Sequence, residues 1–197
     1  WNVSEACFPH GVEHPPTSGI SQPPVLATCV RKLWEAGKQT SIENGEVKLI
    51  CEKILNWHRW FWSARDPENT GLVCVLHPWE SGMDNSPAWD EPLARVPSTQ
   101  NASYIRQDTS LIDAHQRPLQ IEYDRYLYLV EKLRDKDYDS ITISQDFPFR
   151  VIDIGLNSIL QRANLDLKAM LDQFGMRSEC QELEARIELT QDAFTKL

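Results

Sequence analysis

The sequence has little positive charge, no long hydrophobic run and no regular repeat. Lys and Arg number 20 against 29 Asp and Glu, which gives a net charge of −9 at pH 7. Nucleic acids and anionic membrane surfaces are bound through basic faces, so this balance argues against both as partners. No apolar run approaches the roughly 20 residues of a membrane-spanning helix. The absence of a repeat period argues against a purely structural helical repeat domain.

The cysteines do not form the even, ordered set of a disulfide framework. There are five of them, scattered mostly within helical patterns: Cys7, Cys29, Cys51, Cys74 and Cys180. Secreted disulfide scaffolds are short and carry even numbers of cysteines. We therefore predict reduced, buried thiols and a cytoplasmic protein.

Residues 1–20 are rich in Pro, Gly and His and show no periodicity, which predicts a loop. His10 and His14 are four residues apart, but the prolines around them disfavour a helix and no further ligand completes a metal shell. We predict no metal site. The chain begins at Trp1 without a signal peptide and reaches Leu197 inside a helical pattern, so we expect a piece of a longer protein.

Hydrophobic residues make up 41% of the sequence and charged residues 25%, as in a globular protein. Apolar spacing predicts about five helices and no sheet of consequence. The predicted helices are residues 21–36, 46–65, 118–135, 148–174 and a last one that opens with a Ser178–Gln181 capping box. Val25, Cys29 and Leu33 form one apolar stripe of the first helix, with Val30 and Trp34 beside it. Residues 72–76 are a short apolar run that predicts either a brief strand or a buried extended segment. Residues 91–117 predict a long loop.

Residues 77–90 have the composition of a sugar site. They read His-Pro-Trp-Glu-Ser-Gly-Met-Asp-Asn-Ser-Pro-Ala-Trp-Asp and hold two tryptophans and three carboxylates. Aromatic rings stack on the C–H faces of a pyranose, and carboxylates bind hydroxyls or move protons. The same composition also suits a structural loop whose Trp side chains fill a core and whose Asp residues cap helices. Composition leaves both interpretations open.

Residues 79–87, Trp-Glu-Ser-Gly-Met-Asp-Asn-Ser-Pro, resemble the signature of the mannosylglycerate hydrolase-like branch of glycoside hydrolase family 63. The Glu-Ser-Gly-x-Asp core is also similar to that of trehalases of related fold. Four further segments resemble the same family: residues 19–24, 57–60, 122–127 and 153–157. The resemblance runs, with interruptions, from about Gly19 to about Asp166. It implies that residues 1–197 are part of a catalytic domain with an all-α fold, an incomplete (α/α)6 toroid of about half the barrel.

The resemblance also implies a mechanism, inverting hydrolysis by two carboxyl groups. Asp84 is the implied general acid. Trp79 and Met83 are expected to lower the local polarity and Glu80 to add a like charge, both of which raise the pKa of an acid. The implied general base is a Glu further downstream, and no segment of this sequence matches its surroundings. The mechanism requires neither a metal nor an organic cofactor.

The resemblance further implies a set of substrate-binding residues: Gln22, Trp79, Glu80, Gly82, Asn85, Asp124 and Asn157. Some of these have a plainer interpretation. Gln22 also suits a helix cap, and Asp124 an ion pair with Arg125 or Arg117. His58, in another matching segment, is more typical of a core histidine than of a catalyst.

The implied substrate is a small α-glycoside such as mannosylglycerate or glucosylglycerate. The competing hypothesis is a carbohydrate-binding remnant or helical scaffold that kept this part of the site without the base. An enzyme and a remnant differ in whether a catalytic base exists in the complete protein.

Overall fold

The computed structural model describes residues 20–37, 44–100, 104–106, 108–110 and 112–197. The predicted N-terminal loop, with His10, His14 and Cys7, lies almost entirely outside this part of the chain. The described residues form seven α-helices: α1 Leu26–Ala36, α2 Asn44–Arg65, α3 Asp90–Ala94, α4 Gln120–Asp135, α5 Ser140–Gln145, α6 Ile154–Gln173 and α7 Arg177–Phe194. Two short strands, β1 Cys74–Val75 and β2 Val151–Ile152, pair in a two-stranded sheet. The all-α prediction and the brief strand within residues 72–76 are confirmed.

Several predicted helix boundaries are wrong for local reasons. Helix α1 begins at Leu26 and not at Ser21, because the two prolines after Gln22 keep the preceding residues out of helical backbone geometry. The predicted helix 148–174 is interrupted by β2. Its helical part begins after Asp153, whose carboxylate accepts a hydrogen bond from the Leu156 N–H at 2.6 Å. Asp139 caps the unpredicted helix α5 in the same way, through the Thr142 N–H at 2.9 Å.

Most of the helices belong to one of two compact units, which we call the four-helix unit. Its described residues are 23–74 and 152–197, and α6 packs against α1, α2 and α7. The core consists of buried side chains from all four helices: Ala27, Trp34, Val47, Cys51, Ile54, Leu55, Ala163, Leu167, Met170, Leu171, Cys180 and Leu183. Each large apolar side chain buried there contributes about 1.5–3 kcal/mol before the entropy of ordering is subtracted.

The predicted stripe of α1 is largely exposed, and the residues predicted beside it, Val30 and Trp34, are the ones that meet the core. Val25 and Leu33 are 49% and 68% exposed and Cys29 is also exposed, whereas Ala27 and Trp34 are buried. Helix α1 is apolar on two faces, and periodicity alone does not say which face meets a partner. The face with Ala27 and Trp34 meets the other helices of its unit.

The turn after α2 is fastened to α7 by a buried carboxylate. Asp66 accepts hydrogen bonds from the N–H groups of Thr70 at 2.8 Å and Gly71 at 2.9 Å, and from the Arg186 guanidinium at 2.6 Å. The hydroxyl of Thr190 donates to the Gly71 carbonyl at 2.9 Å. Gly71 has φ +96°, a backbone conformation that favours glycine. This network fixes the direction in which the chain leaves α2 for β1.

The second compact unit, which we call the loop unit, comprises residues 20–22 and 75–151 of the described chain. It holds helices α3, α4 and α5 and three 3₁₀ helices, Pro78–Ser81, Pro87–Trp89 and Ala114–Gln116. Its buried core includes Trp89, whose ring meets Phe149 edge-on at a centroid distance of 6.1 Å. Leu129, Leu133 and Ile143 are buried with them in the unit.

Three of the four described cysteines match the prediction of buried free thiols. Cys51, Cys74 and Cys180 are buried and free, whereas Cys29 is free but exposed. Among the described residues, no helix is both long enough and apolar enough to cross a membrane.

Candidate functional site

The sugar-site stretch, residues 77–90, is an ordered loop of two 3₁₀ helices within the loop unit. Each begins with a proline in its first turn, where the missing N–H costs nothing. His77 and Ser86 cap the two helices by accepting from the N–H groups two residues on, at 3.1 and 3.3 Å. Gly82, with φ 72°, ends the first helix and turns the chain toward Asp84. The two prolines, the two capping residues and Gly82 therefore specify the path of this loop.

Glu80 anchors the loop from inside the protein. Its side chain has no exposed surface, and its two carboxylate oxygens accept from the N–H groups of Ser21 at 2.9 Å and Leu76 at 2.6 Å. A buried carboxylate is stable only when it is bonded in this way. The structure thus gives Glu80 a supporting role, because a ligand has no surface of this side chain to contact.

His77 connects the loop to helix α4. Its Nδ1 accepts from the Trp79 N–H at 3.1 Å, and its Nε2–H donates to the carbonyl of Tyr126 at 3.0 Å. The ring is fully buried, and burial lowers the pKa of His77 to about 4. The histidine is therefore neutral, with a tautomer fixed by its two partners. Sequence reasoning assigned it no role.

Asp84 lies in the wall of a cleft of about 260 Å³. Its side chain is half-buried, and within the described part of the chain its carboxylate accepts no hydrogen bond. Its backbone is held, since the hydroxyl of Tyr126 donates to the Asp84 carbonyl at 2.9 Å. Asn85 lines the same cleft, and its amide donates to the Gln116 carbonyl at 3.4 Å. The loop thus presents a carboxyl group with a fixed backbone and an unbonded side chain.

One expectation about the surroundings of Asp84 is wrong. Met83 does not lower the local polarity, because its side chain is 51% exposed. Only its carbonyl is engaged, by the indole N–H of Trp89 at 2.8 Å. Trp89 therefore fills the core and supports the loop at once, as the structural interpretation of this stretch predicted for its tryptophans.

Trp79 belongs to a cluster of aromatic rings over α4. The half-buried Trp79 ring meets Tyr123 and Tyr126 edge-on, at centroid distances of 6.1 and 5.8 Å. Tyr104 stacks on Tyr123 at 5.8 Å. Such a group of rings offers the partly exposed, apolar surface on which a sugar stacks.

Asp124 is bonded at the edge of this cluster. Its Oδ1 accepts from the Tyr104 hydroxyl, and from the Gln120 amide at 2.9 Å. The ion pair with Arg125 or Arg117 considered from the sequence is not formed. Arg117 instead binds Asp108 at 3.1 Å.

An arginine–carboxylate group beside the cluster was not predicted. Arg106 binds Asp108 through two hydrogen bonds of 3.1 and 2.7 Å and lies over the Tyr123 ring, 4.5 Å from its centroid. The bond from Arg106 is the largest cause that lowers the pKa of Asp108 to about 2. These residues fall in the long loop, where no periodicity marks them. The only sequence signal is an Arg two residues before an Asp.

The remaining predicted residues lie in different places. Gln22 is exposed, next to Ser21, whose N–H is bound by Glu80. Asn157 lies in the four-helix unit and is 1% exposed, with its amide bonded to both the N–H and the carbonyl of Val73 at 2.9 and 2.8 Å. Like Glu80, it supports the backbone and has no surface for a substrate. Asp84 and Asn85 thus line one cleft, Trp79 and Asp124 lie at the aromatic cluster of α4 outside the lining of that cleft, and Glu80 and Asn157 are interior.

Comparison with known proteins agrees with the resemblance of the motif. The family model of the mannosylglycerate hydrolase MGH1-like glycoside hydrolase domain matches residues 4–197. Mannosylglycerate hydrolase MGH1 of Selaginella moellendorffii is 52% identical over 151 residues, which are 77% of this chain and 31% of the relative. The mannosylglycerate hydrolase of Thermus thermophilus is 49% identical over 156 residues, 79% of this chain and 38% of the relative. The chain therefore spans about a third of the length of these curated relatives.

A solved structure extends the comparison to the fold. The chain matches a crystal structure of the family 63 mannosylglycerate hydrolase from Thermus thermophilus in complex with Tris and D-glycerate. The TM-score is 0.87 at 44% identity, over 93% of this chain and 44% of that chain. The predicted fold class, an incomplete (α/α)6 toroid, is confirmed, and the class of protein is that of the helical-toroid glycoside hydrolases. The chain belongs to the mannosylglycerate hydrolase MGH1-like family of glycoside hydrolases.

Proposed function

We propose that the complete protein hydrolyses a small α-glycoside of the mannosylglycerate or glucosylglycerate class, with inversion, and that Asp84 is its general acid. In this proposal residues 1–197 are part of the catalytic domain. Mannosylglycerate is the first candidate because it is the substrate in the names of the two relatives reported above.

The observation that carries this proposal is the state of Asp84. A general acid must be held in place while its carboxyl group stays free to give a proton to the substrate. The Asp84 carbonyl is bound by the Tyr126 hydroxyl at 2.9 Å, Asp84 lines a cleft, and its half-buried side chain has no hydrogen-bond partner among the described residues. Glu80, four residues earlier, has both oxygens bonded and is excluded from this role.

In the proposed reaction the Asp84 carboxyl protonates the glycosidic oxygen as the bond to the sugar breaks. A second carboxylate takes a proton from water on the opposite face, and the two groups stand roughly 6.5–9.5 Å apart to admit that water. No segment of these 197 residues resembles the surroundings expected of the base, so we assign it to another part of the complete protein. The chemistry uses no metal or organic cofactor.

Trp79 and Asp124 are the side chains we propose for sugar binding. The half-buried Trp79 ring offers a stacking surface. Among the described residues the carboxylate of Asp124 is bonded only through Oδ1, which leaves Oδ2 for a sugar hydroxyl. Asn85, Gln22 and the backbone of Gly82 are exposed and complete the proposed set.

The test is Asp84→Asn in the complete protein, assayed on two substrates. Loss of a general acid is expected to lower kcat on mannosylglycerate by about 10²- to 10⁴-fold. Hydrolysis of α-mannosyl fluoride should change little, because fluoride departs without a proton, and binding should persist. Full turnover of mannosylglycerate by the variant would remove Asp84 from the acid role. Binding without turnover by the unmodified protein would favour the carbohydrate-binding remnant.

A further inference from the structure

Tyr126 is the one described residue of α4 whose main chain and side chain both hold the loop of residues 77–90. Its carbonyl accepts from His77 Nε2–H at 3.0 Å, and its hydroxyl donates to the carbonyl of Asp84 at 2.9 Å. His77 in turn accepts from the Trp79 N–H at 3.1 Å. Three hydrogen bonds therefore connect Trp79, His77, Tyr126 and Asp84 in series, from the start of the loop to the proposed acid.

In this series of hydrogen bonds each donor and acceptor is fixed, and the two central residues are buried. Tyr126 is 2% exposed and His77 is 0% exposed. Burial raises the pKa of Tyr126, so that its hydroxyl remains protonated and donates. The two rings also lie against each other, at a centroid distance of 5.4 Å. Neither side chain can leave its position without breaking a hydrogen bond, which costs about 1–3 kcal/mol when the partner left behind is buried.

We propose that Tyr126, oriented by His77, is a positioning residue that sets the direction of the Asp84 carboxyl group. The inference rests on the proposed function. Gly82 and Met83, which lead to Asp84, are exposed, so the loop has little packing of its own at this point. The Tyr126 hydroxyl supplies the constraint that packing does not. A displacement of the acid by a fraction of a hydrogen-bond length slows proton transfer and leaves substrate binding unchanged.

The test is Tyr126→Phe in the complete protein, because this change removes the hydroxyl and keeps the buried ring. On mannosylglycerate, whose leaving oxygen needs a proton, kcat is expected to fall about 10- to 100-fold with KM unchanged. On α-mannosyl fluoride, whose leaving group needs none, the variant should match the unmodified protein. The fluoride assay also shows that the variant has folded.

Tyr128→Phe is the matched control. Tyr128 lies two residues further along α4, where its ring meets Lys132 at 5.4 Å, and its loss of a hydroxyl should change turnover of neither substrate. A Tyr126→Phe variant that loses activity equally on both substrates would overturn the positioning role in favour of a general structural one. A variant with unchanged activity on both would overturn it as well. Failure of the unmodified protein to hydrolyse either substrate is a different result, which rejects the proposed function itself.

The link to His77 has its own measurement. If His77 orients Tyr126, then Tyr126→Phe should lower kcat on mannosylglycerate less in a His77→Gln background than in the unmodified protein. The reason is that the orientation of Tyr126 is already lost in that background. Additive effects on the ratio of mannosylglycerate to fluoride turnover would contradict the part assigned to His77.

Discussion

Glu80 and Asp84 are two carboxylates four residues apart, and their surroundings give them opposite uses. Glu80 is fully buried and bonded to two backbone N–H groups, whereas Asp84 is half-buried and has no partner among the described residues. A carboxylate with both oxygens occupied holds a backbone, and one without partners is available for proton transfer. The roles that we propose for the two residues rest on this difference in hydrogen bonding.

Glu80→Gln tests the supporting role. The amide replaces one acceptor oxygen by a donor that faces a backbone N–H, so the free energy of unfolding should fall by about 1.5–3 kcal/mol. KM should stay unchanged at temperatures where the variant is folded. Thermal or urea unfolding of the complete protein and steady-state kinetics measure the two effects.

The matched control for Glu80→Gln is Glu91→Gln. Glu91 pairs with Arg95 on the surface, with side-chain exposures of 82% and 72%, and exposed pairs contribute at most about 1 kcal/mol. A raised KM without lost stability in Glu80→Gln would return Glu80 to the substrate-binding role first expected of it.

The sequence singles out the proposed acid more readily than the residues that support it, and residue spacing explains why. Asp84 lies in a contiguous run of nine residues that carries its own signature. The partners that hold the run are remote in the chain, since Tyr126 is 42 residues from Asp84 and Ser21 is 59 residues from Glu80. A signature also does not say which of its side chains turns inward, so Glu80 was expected at the substrate.

At the scale of elements, helix existence was predictable and helix packing was not. Helices α2, α4 and α7 lie close to their predicted ranges because their apolar spacing is helical. The predicted Ser178–Gln181 capping box of the last helix is wrong, since α7 begins at Arg177 and its N-cap residue, Met176, makes no side-chain capping bond. The exposed stripe of α1, with Val25 and Leu33, shows that apolar spacing does not predict which face of a helix is buried. Two faces of that helix are apolar, and only the position of the neighbouring helices decides which one is buried.

Two elements carry buried neutral histidines, which predicts a pH dependence of stability. His58 joins α2 to α6 through Asn164 at 2.7 Å, and His77 caps the first 3₁₀ helix of the loop. Burial lowers the pKa of each to about 4. The unfolded chain binds these protons near pH 6.5 and the folded chain does not. Stability should therefore be constant above that pH and fall toward pH 4, by up to about 3 kcal/mol per pH unit for both together.

Urea unfolding between about pH 7 and pH 4.5 measures this slope, since the window lies between the unfolded and folded pKa values. His58→Gln removes one of the two groups and should halve the slope. The Asp108 carboxylate, with a pKa of about 2, does not titrate in this window. An identical slope in His58→Gln and the unmodified protein would contradict the assignment.

At the scale of the whole molecule, the proposed chemistry is concentrated in one compact unit. The loop unit contains Asp84, Asn85, Trp79 and Asp124, and the four-helix unit contains the buried core of α1, α2, α6 and α7. The chain covers 44% of the family 63 structure that it matches with a TM-score of 0.87. A reaction with two carboxyl groups therefore has to be tested on the complete protein, in which both groups are expected.

The most direct measurement is proton NMR of mannosylglycerate hydrolysis by the complete protein and by its Asp84→Asn variant, followed from the first turnovers. An inverting mechanism with Asp84 as the acid predicts that the α-glycoside releases β-mannose first, as water attacks the face opposite the leaving group, and that the Asn variant releases almost none. Release of α-mannose first would show a retaining mechanism. Either that result or undiminished release by the Asp84→Asn variant would contradict the proposed mechanism.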